Sequence, residues 1–157
     1  MKVLLALLLV VGFGVYLYPF YIHSEIQPDS QYPTNYLIGG IYRTNVALMG
    51  AKIRRFPFVT QKIVLVRDQY EASVHGGPFG HKPLKIPPGT HLRVERLVLT
   101  REYEAVRRVL VEGRFLDGPF AGSEITLEHI SRKEFNRGLV APLLMIDSGI
   151  LELVSPQ

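Results

Sequence analysis

A chain of 157 residues supplies one core of about 100 to 150 residues and is too short for two. It has no cysteine, which excludes disulfides, thiolate metal ligands and a lipid-modified cysteine tether. The net charge of +4 hides an asymmetry: Ser30 to Arg67 contains six basic residues and no acid, whereas Asp68 to Gln157 contains 11 basic and 12 acidic residues. A regional surplus of this kind points to an anionic partner more directly than overall charge does.

The chain opens with Val3 to Ile22, 20 residues without a charge, against the roughly 20 needed to cross the hydrocarbon of a bilayer. The run exits through Tyr16, Tyr18, Phe20 and Tyr21, where a signal peptidase requires small residues. Tyrosine rings there suit the headgroup layer instead. The expectation is an uncleaved single-pass transmembrane helix, with residues 1–23 as the membrane anchor. Lys2 precedes the span and no Lys or Arg follows it until Arg43, so the amino end stays inside and the domain is extracytoplasmic. A secreted form would require cleavage near Tyr21 to Ser24. Residues 24–35 are polar with two prolines and read as a linker. One β domain over 36–157 follows.

Within that domain, Tyr36 to Arg43 and Lys62 to Arg67 are strand candidates, the second rich in β-branched residues. His75 to Gly89 carries four prolines and four glycines, a composition that predicts a long surface loop with no helix or central strand. Leu92 and Val94 share one parity, and Leu97 and Leu99 the other. A one-residue shift turns every later side chain to the opposite face, so a bulge near Glu95–Arg96 is required. A second strand follows through Val109 and Phe115. A third, EITLEHI, puts Ile125 and Leu127 on one side and Glu124, Thr126 and Glu128 on the other. These predict three successive antiparallel strands.

Gly113, Gly118 and Gly122 are spaced like parts of a phosphate-gripping loop, but Pro119 stands where the P-loop lysine would be. Asp117-Gly118 is instead a turn signal, because glycine takes positive φ at little steric cost. Ser131 and Glu134 have capping-box spacing and predict one short helical turn, stopped by Gly138. Leu143 to Val154 supplies closing strands around Asp147-Ser148-Gly149. From Ile86 to Val154, this order of elements is similar to that of SH3-like small barrels. The fold expected is therefore a small antiparallel SH3-like β-barrel with one short helical turn behind a membrane helix. Many functions share such barrels, so function has to be read from sites.

The most unusual segment is AKIRRFPFVTQK, which sets Lys52, Arg54 and Arg55 beside Phe56 and Phe58. It could contact acidic headgroups, a protein partner or an anionic polymer. Basic-aromatic segments also bind single-stranded nucleic acid, a partner not expected for an extracytoplasmic domain. The plainer reading has both phenylalanines plugging the barrel and the arginines in water. His75, His81 and His91 lie in or beside the Pro/Gly loop, and His129 has core parity. Without an H-x-x-x-H pair or cysteines, no metal and no cofactor are expected. Ser123 and Ser148 lie outside any G-x-S-x-G elbow, and Glu102/Glu104 and Glu124/Glu128 read as solvated. The sequence points to a non-catalytic, membrane-anchored interaction module, such as an accessory subunit of an envelope complex, with oligomeric state unspecified. The alternative is a membrane-tethered or secreted hydrolase or metal-binding protein built on the loop histidines.

Overall fold

The computed structural model describes residues 23–26, 34–55, 60–76, 82–101, 107–134 and 143–155. The expected membrane helix, most of the linker, Phe56, Phe58 and His81 lie outside these residues. Among the described helices none is long and apolar enough to cross a membrane.

The chain is mainly β, and its principal sheet curls into a half-barrel. Its strands are β1 (His23–Ile26), β2 (Ile41–Thr44), β3 (Leu48–Arg55), β4 (Thr60–Val66), β5 (Leu84–Ile86), β6 (His91–Arg101), β7 (Arg107–Phe115), β8 (Glu124–Thr126) and β11 (Leu151–Ser155). The order across the sheet is β11-β2-β6-β7-β8-β4-β3-β5. β1 pairs with β6 at Leu97 to Thr100, beyond the stretch at His91 to Arg93 that β2 covers. Paired backbone therefore runs from His23, the last residue of the range expected for the anchor, into the range expected for the linker. A separate ribbon joins β9 (Arg132–Glu134) to β10 (Leu143–Met145). The three-strand antiparallel meander read from the sequence is β6-β7-β8.

The bulge lies where parity demanded it: the β6–β7 register shifts between Val94 and Arg96. Glu95 is the extra residue, and Leu92, Val94 and Leu97 on either side of it are all fully buried. One inserted residue restores the alternation and increases the local twist. Gly113, paired with Val94, permits the close approach, because a Cβ there would collide with the Arg93 carbonyl. Gly113 thus serves the bulge, whereas Gly118 and Gly122 supply the positive φ angles of the turn between β7 and β8.

The concave face carries the main core, with Tyr42, Leu48, Leu65, Val111, Phe115 and Ile125 among its buried members. On the convex side Ala51, Val64 and Val66 pack beneath Ala72 of α1 (Gln69–Gly76). The Glu71 amide donates to Asp68 Oδ1 at 2.8 Å, and Glu71 Oε2 accepts from the Arg67 amide at 3.1 Å, so the first turn of α1 is capped at both ends of the motif.

Three expectations are corrected. Arg132–Glu134 is extended as β9, not helical. The Ser131 hydroxyl donates back to the Leu127 carbonyl at 2.6 Å and accepts from Tyr36 OH at 2.8 Å, so its capping capacity is spent closing the Leu127–Ser131 turn. The Pro/Gly segment is not all loop, because α1 reaches Gly76 and β5 adds three residues to the edge of β3. Pro83 and Pro87 flank β5 and keep it short, since proline cannot donate to a ladder. The first strand is confined to Ile41–Thr44, because the chain turns at Leu37–Gly40 with Gly39 at φ 83°.

Candidate functional site

The polar residues of the convex face converge on one carboxylate. The bulge sets Arg96 opposite Glu112 on β7, and Lys62 approaches from β4. Lys62 Nζ donates to Glu112 Oε1 at 2.6 Å, and Arg96 Nε donates to Glu112 Oε2 at 2.9 Å. The Lys62 and Glu112 side chains are 10% and 7% exposed. Burial pushes the Glu112 carboxyl up, but hydrogen bonds and charge from Lys62 and then Arg96 outweigh it and hold the group below the usual glutamate value.

Beside this pair lies a cleft of about 150 Å³ lined by Glu95, Arg96, Glu112, Gly113, Arg114 and Glu124. Arg114 donates to Glu95 Oε1 at 3.0 Å and to the Gly122 carbonyl at 2.7 Å, and lies 3.6 Å from Glu124. Lys62, Arg96 and Arg114 balance Glu95, Glu112 and Glu124, so the cleft is neutral overall. Glu112, with both oxygens occupied by cations, is held ionised and is a poor proton acceptor. The chemistry of this cleft is to cross-brace β4, β6, β7 and β8. The expectation that Glu124 and Glu128 are both solvated is corrected at Glu128, which is 7% exposed with Lys133 at 3.7 Å.

The histidines divide. The rings of His75 at the end of α1 and His129 after β8 lie with centroids 4.1 Å apart, and His129 Nε2 is 4.0 Å from Glu128. His91 is elsewhere, with Nδ1 2.6 Å from Asp117 Oδ2 and its amide donating to Oδ1 at 2.9 Å. That amide, followed by the ring, pulls the Asp117 carboxyl below its ordinary value. Among the described residues no group of three or more His, Asp or Glu could hold a metal ion.

The basic-aromatic segment becomes a hairpin. Lys52 pairs with Ile63, and Arg54 and Arg55 occupy the last two rungs, opposite Gln61 and Thr60. Phe56 and Phe58 fall in the connection, outside the described residues. The β3–β5 register pairs Gly50 with Leu84; continued by two residues, it sets Lys82 across from Lys52. Lys52, Lys82 and Lys85 have no carboxylate partner among the described residues, whereas acids elsewhere are held by cations, as Glu134 is by Arg132, Asp147 by Arg67 and Glu152 by Arg43. Sequence reasoning missed Lys82 because its nearness to Lys52 depends on β5, and missed the Glu112 cluster because its members are far apart in the chain.

No family model matches this chain, and no curated protein or solved structure matches it.

Proposed function

We propose that this protein is a non-catalytic, membrane-anchored interaction module, an SH3-like small barrel that presents the β3–β4 hairpin to an acidic protein partner in an envelope membrane complex. The observation that carries this reading is the location of the unneutralised charge. Lys52 and Lys82 lack acidic partners among the described residues and lie on β3 and beside β5, and Arg54 and Arg55 extend the same strand toward the tip. Cations without internal partners break no ion pair when an acidic surface approaches, and they speed and orient its docking. Phe56 and Phe58 next to them supply the aromatic area, and Arg54 and Arg55 the guanidinium groups, that concentrate binding energy at protein interfaces.

The test is capture from cells by crosslinking the tagged full-length chain in mild detergent. The expected result is a stoichiometric partner that is lost with Arg54→Glu/Arg55→Glu while the variant keeps its circular dichroism spectrum. Undiminished capture by that variant overturns the assignment. A second reading, a tethered hydrolase or metal-binding protein, has behind it the ring contact between His75 and His129, a pair that with Glu128 does not make a three-ligand set. Stoichiometric zinc in the purified chain, removed by His129→Ala, would establish it.

A further inference from the structure

We infer that Arg93, with Arg114 beside it on the convex face, forms a carboxylate-binding site separate from the β3–β4 hairpin. Leu92 and Val94 are fully buried in the concave core, so strand alternation turns Arg93 between them to the convex side. Its cross-strand neighbours there are Ile41 on β2 and Arg114 on β7. Directly opposite residues have Cβ atoms about 5 Å apart, and like charges so placed repel. Arg114 has its anions, donating to Glu95 Oε1 at 3.0 Å and lying 3.6 Å from Glu124. Arg93 has none: its Nε is buried without a hydrogen-bond acceptor, the one buried side-chain polar atom among the described residues in that state. A donor sealed from water with no acceptor loses its hydration without return, and such a group in a native fold calls for an explanation.

The acids of this face are already committed. The next rung sets Arg43 opposite His91, and there Glu152 is held by Arg43 at 2.7 Å and Asp117 by His91 at 2.6 Å. On the other side, the cleft that Arg114 and Gly113 line is neutral without Arg93. Adding Arg93 therefore leaves one positive charge in surplus. One negative charge balances it, which selects a carboxylate over a doubly charged phosphate, because the second charge would meet Glu95 and Glu124. The planar guanidinium fork matches the two oxygens of a carboxylate. When the Arg93 side chain swings outward to meet one, no internal ion pair or hydrogen bond is broken, and Nε gains the acceptor it lacks.

The test titrates the full-length chain in mild detergent with sodium acetate, and with chloride and inorganic phosphate at equal ionic strength. Binding is read as a rise in Tm, which follows ligand concentration by mass action, and as movement of the Arg93 Nε–H resonance in a nitrogen-15 spectrum. Expected is a saturable response to acetate, a weaker one to phosphate and none to chloride. Arg93→Met should keep the unliganded Tm, since it removes a donor that has no acceptor, and lose the acetate response. Arg93→Lys keeps the charge without the fork and should bind acetate at least about tenfold more weakly, having lost one charge-assisted hydrogen bond. An Arg93 resonance unmoved by acetate, chloride equal to acetate, phosphate stronger than acetate, or an undiminished response in Arg93→Lys each overturns the inference. These readouts do not involve Arg54 or Arg55, so the hairpin assignment stands or falls separately. With acetate binding in hand, partner capture lost in Arg93→Met would put the carboxylate on the partner, and capture retained would put it on a small ligand.

Discussion

Lys62 on β4 reaches past β8 to Glu112 on β7, Nζ to Oε1 2.6 Å apart, with both side chains almost wholly removed from water. The pair links two strands that are not neighbours in the sheet, and Arg96 closes the other side of the same carboxylate.

Removing one member of this pair strands the other. Lys62→Met leaves Glu112 buried with Arg96 alone, and Glu112→Leu leaves Lys62 with only Glu124 at 3.7 Å. Each is expected to destabilise the domain by about 3 kcal/mol, whereas the double variant Lys62→Met/Glu112→Leu should lie close to wild type, because a buried pair is often replaceable by apolar groups of similar volume. Denaturant titration of the four proteins closes the cycle; additive losses would show that the two residues do not act together. The pH dependence follows from the depressed Glu112 carboxyl. Its contribution is present above the unfolded glutamate value of about 4.3 and is lost as pH falls through the lower folded value. Stability of Glu112→Gln should accordingly fall less steeply than wild type between neutral and acid pH.

At the alkaline end, Tyr36 has the opposite sign. Burial pushes its hydroxyl up to about 12 despite the hydrogen bond to Ser131, which works against the rise. The folded state therefore keeps the proton where the unfolded chain, at about 10, has lost it. Stability is full below about pH 10 and declines as pH climbs toward about 12. Tyr36→Phe should cost about 1 kcal/mol at neutral pH through the lost hydrogen bond and flatten this alkaline decline in part, since Tyr42 is raised as well. Unfolding curves taken across this range check it, and an unchanged slope would mean that Tyr36 titrates normally.

The two glycines at 113 and 122 should respond differently to the same change. Gly113→Ala forces a Cβ into the Arg93 carbonyl, so β6 and β7 must separate at the bulge, a backbone shift expected to cost about 3 kcal/mol or more. Gly122→Ala meets open space and only the strain of φ 81°, about 1 kcal/mol. Thermal unfolding should order them in that way, and amide exchange at Val94 and Val111 should quicken for Gly113→Ala alone.

How much of this was legible in the chain depends on the range of the interaction. The bulge at Glu95 was readable, because a parity change between Val94 and Leu97 leaves few other solutions for a strand with one buried face. The turns at Asp117-Gly118 and Asp147-Ser148-Gly149 were readable too, because their conformation is set by the residues themselves. α1 carries a local signal, Asp68-x-x-Glu71, with the same capping-box spacing as Ser131-x-x-Glu134. The two sites were separated by what lay near them. Ser131 is held by Tyr36, 95 positions away, and the residues after it pair with β10, whereas Asp68 faces water and is free to cap. Likewise, nothing local marks Glu112 as buried or Lys82 as a neighbour of Lys52, and nothing in a polar stretch after an apolar run says that His23 to Ile26 will dock on β6. Alternation, turn chemistry and the charge surplus of Ser30 to Arg67 belong to the sequence itself. Which strand lies beside which, and so which charges are cancelled and which remain for a partner, was decided by long-range backbone pairing that no window of the sequence contains.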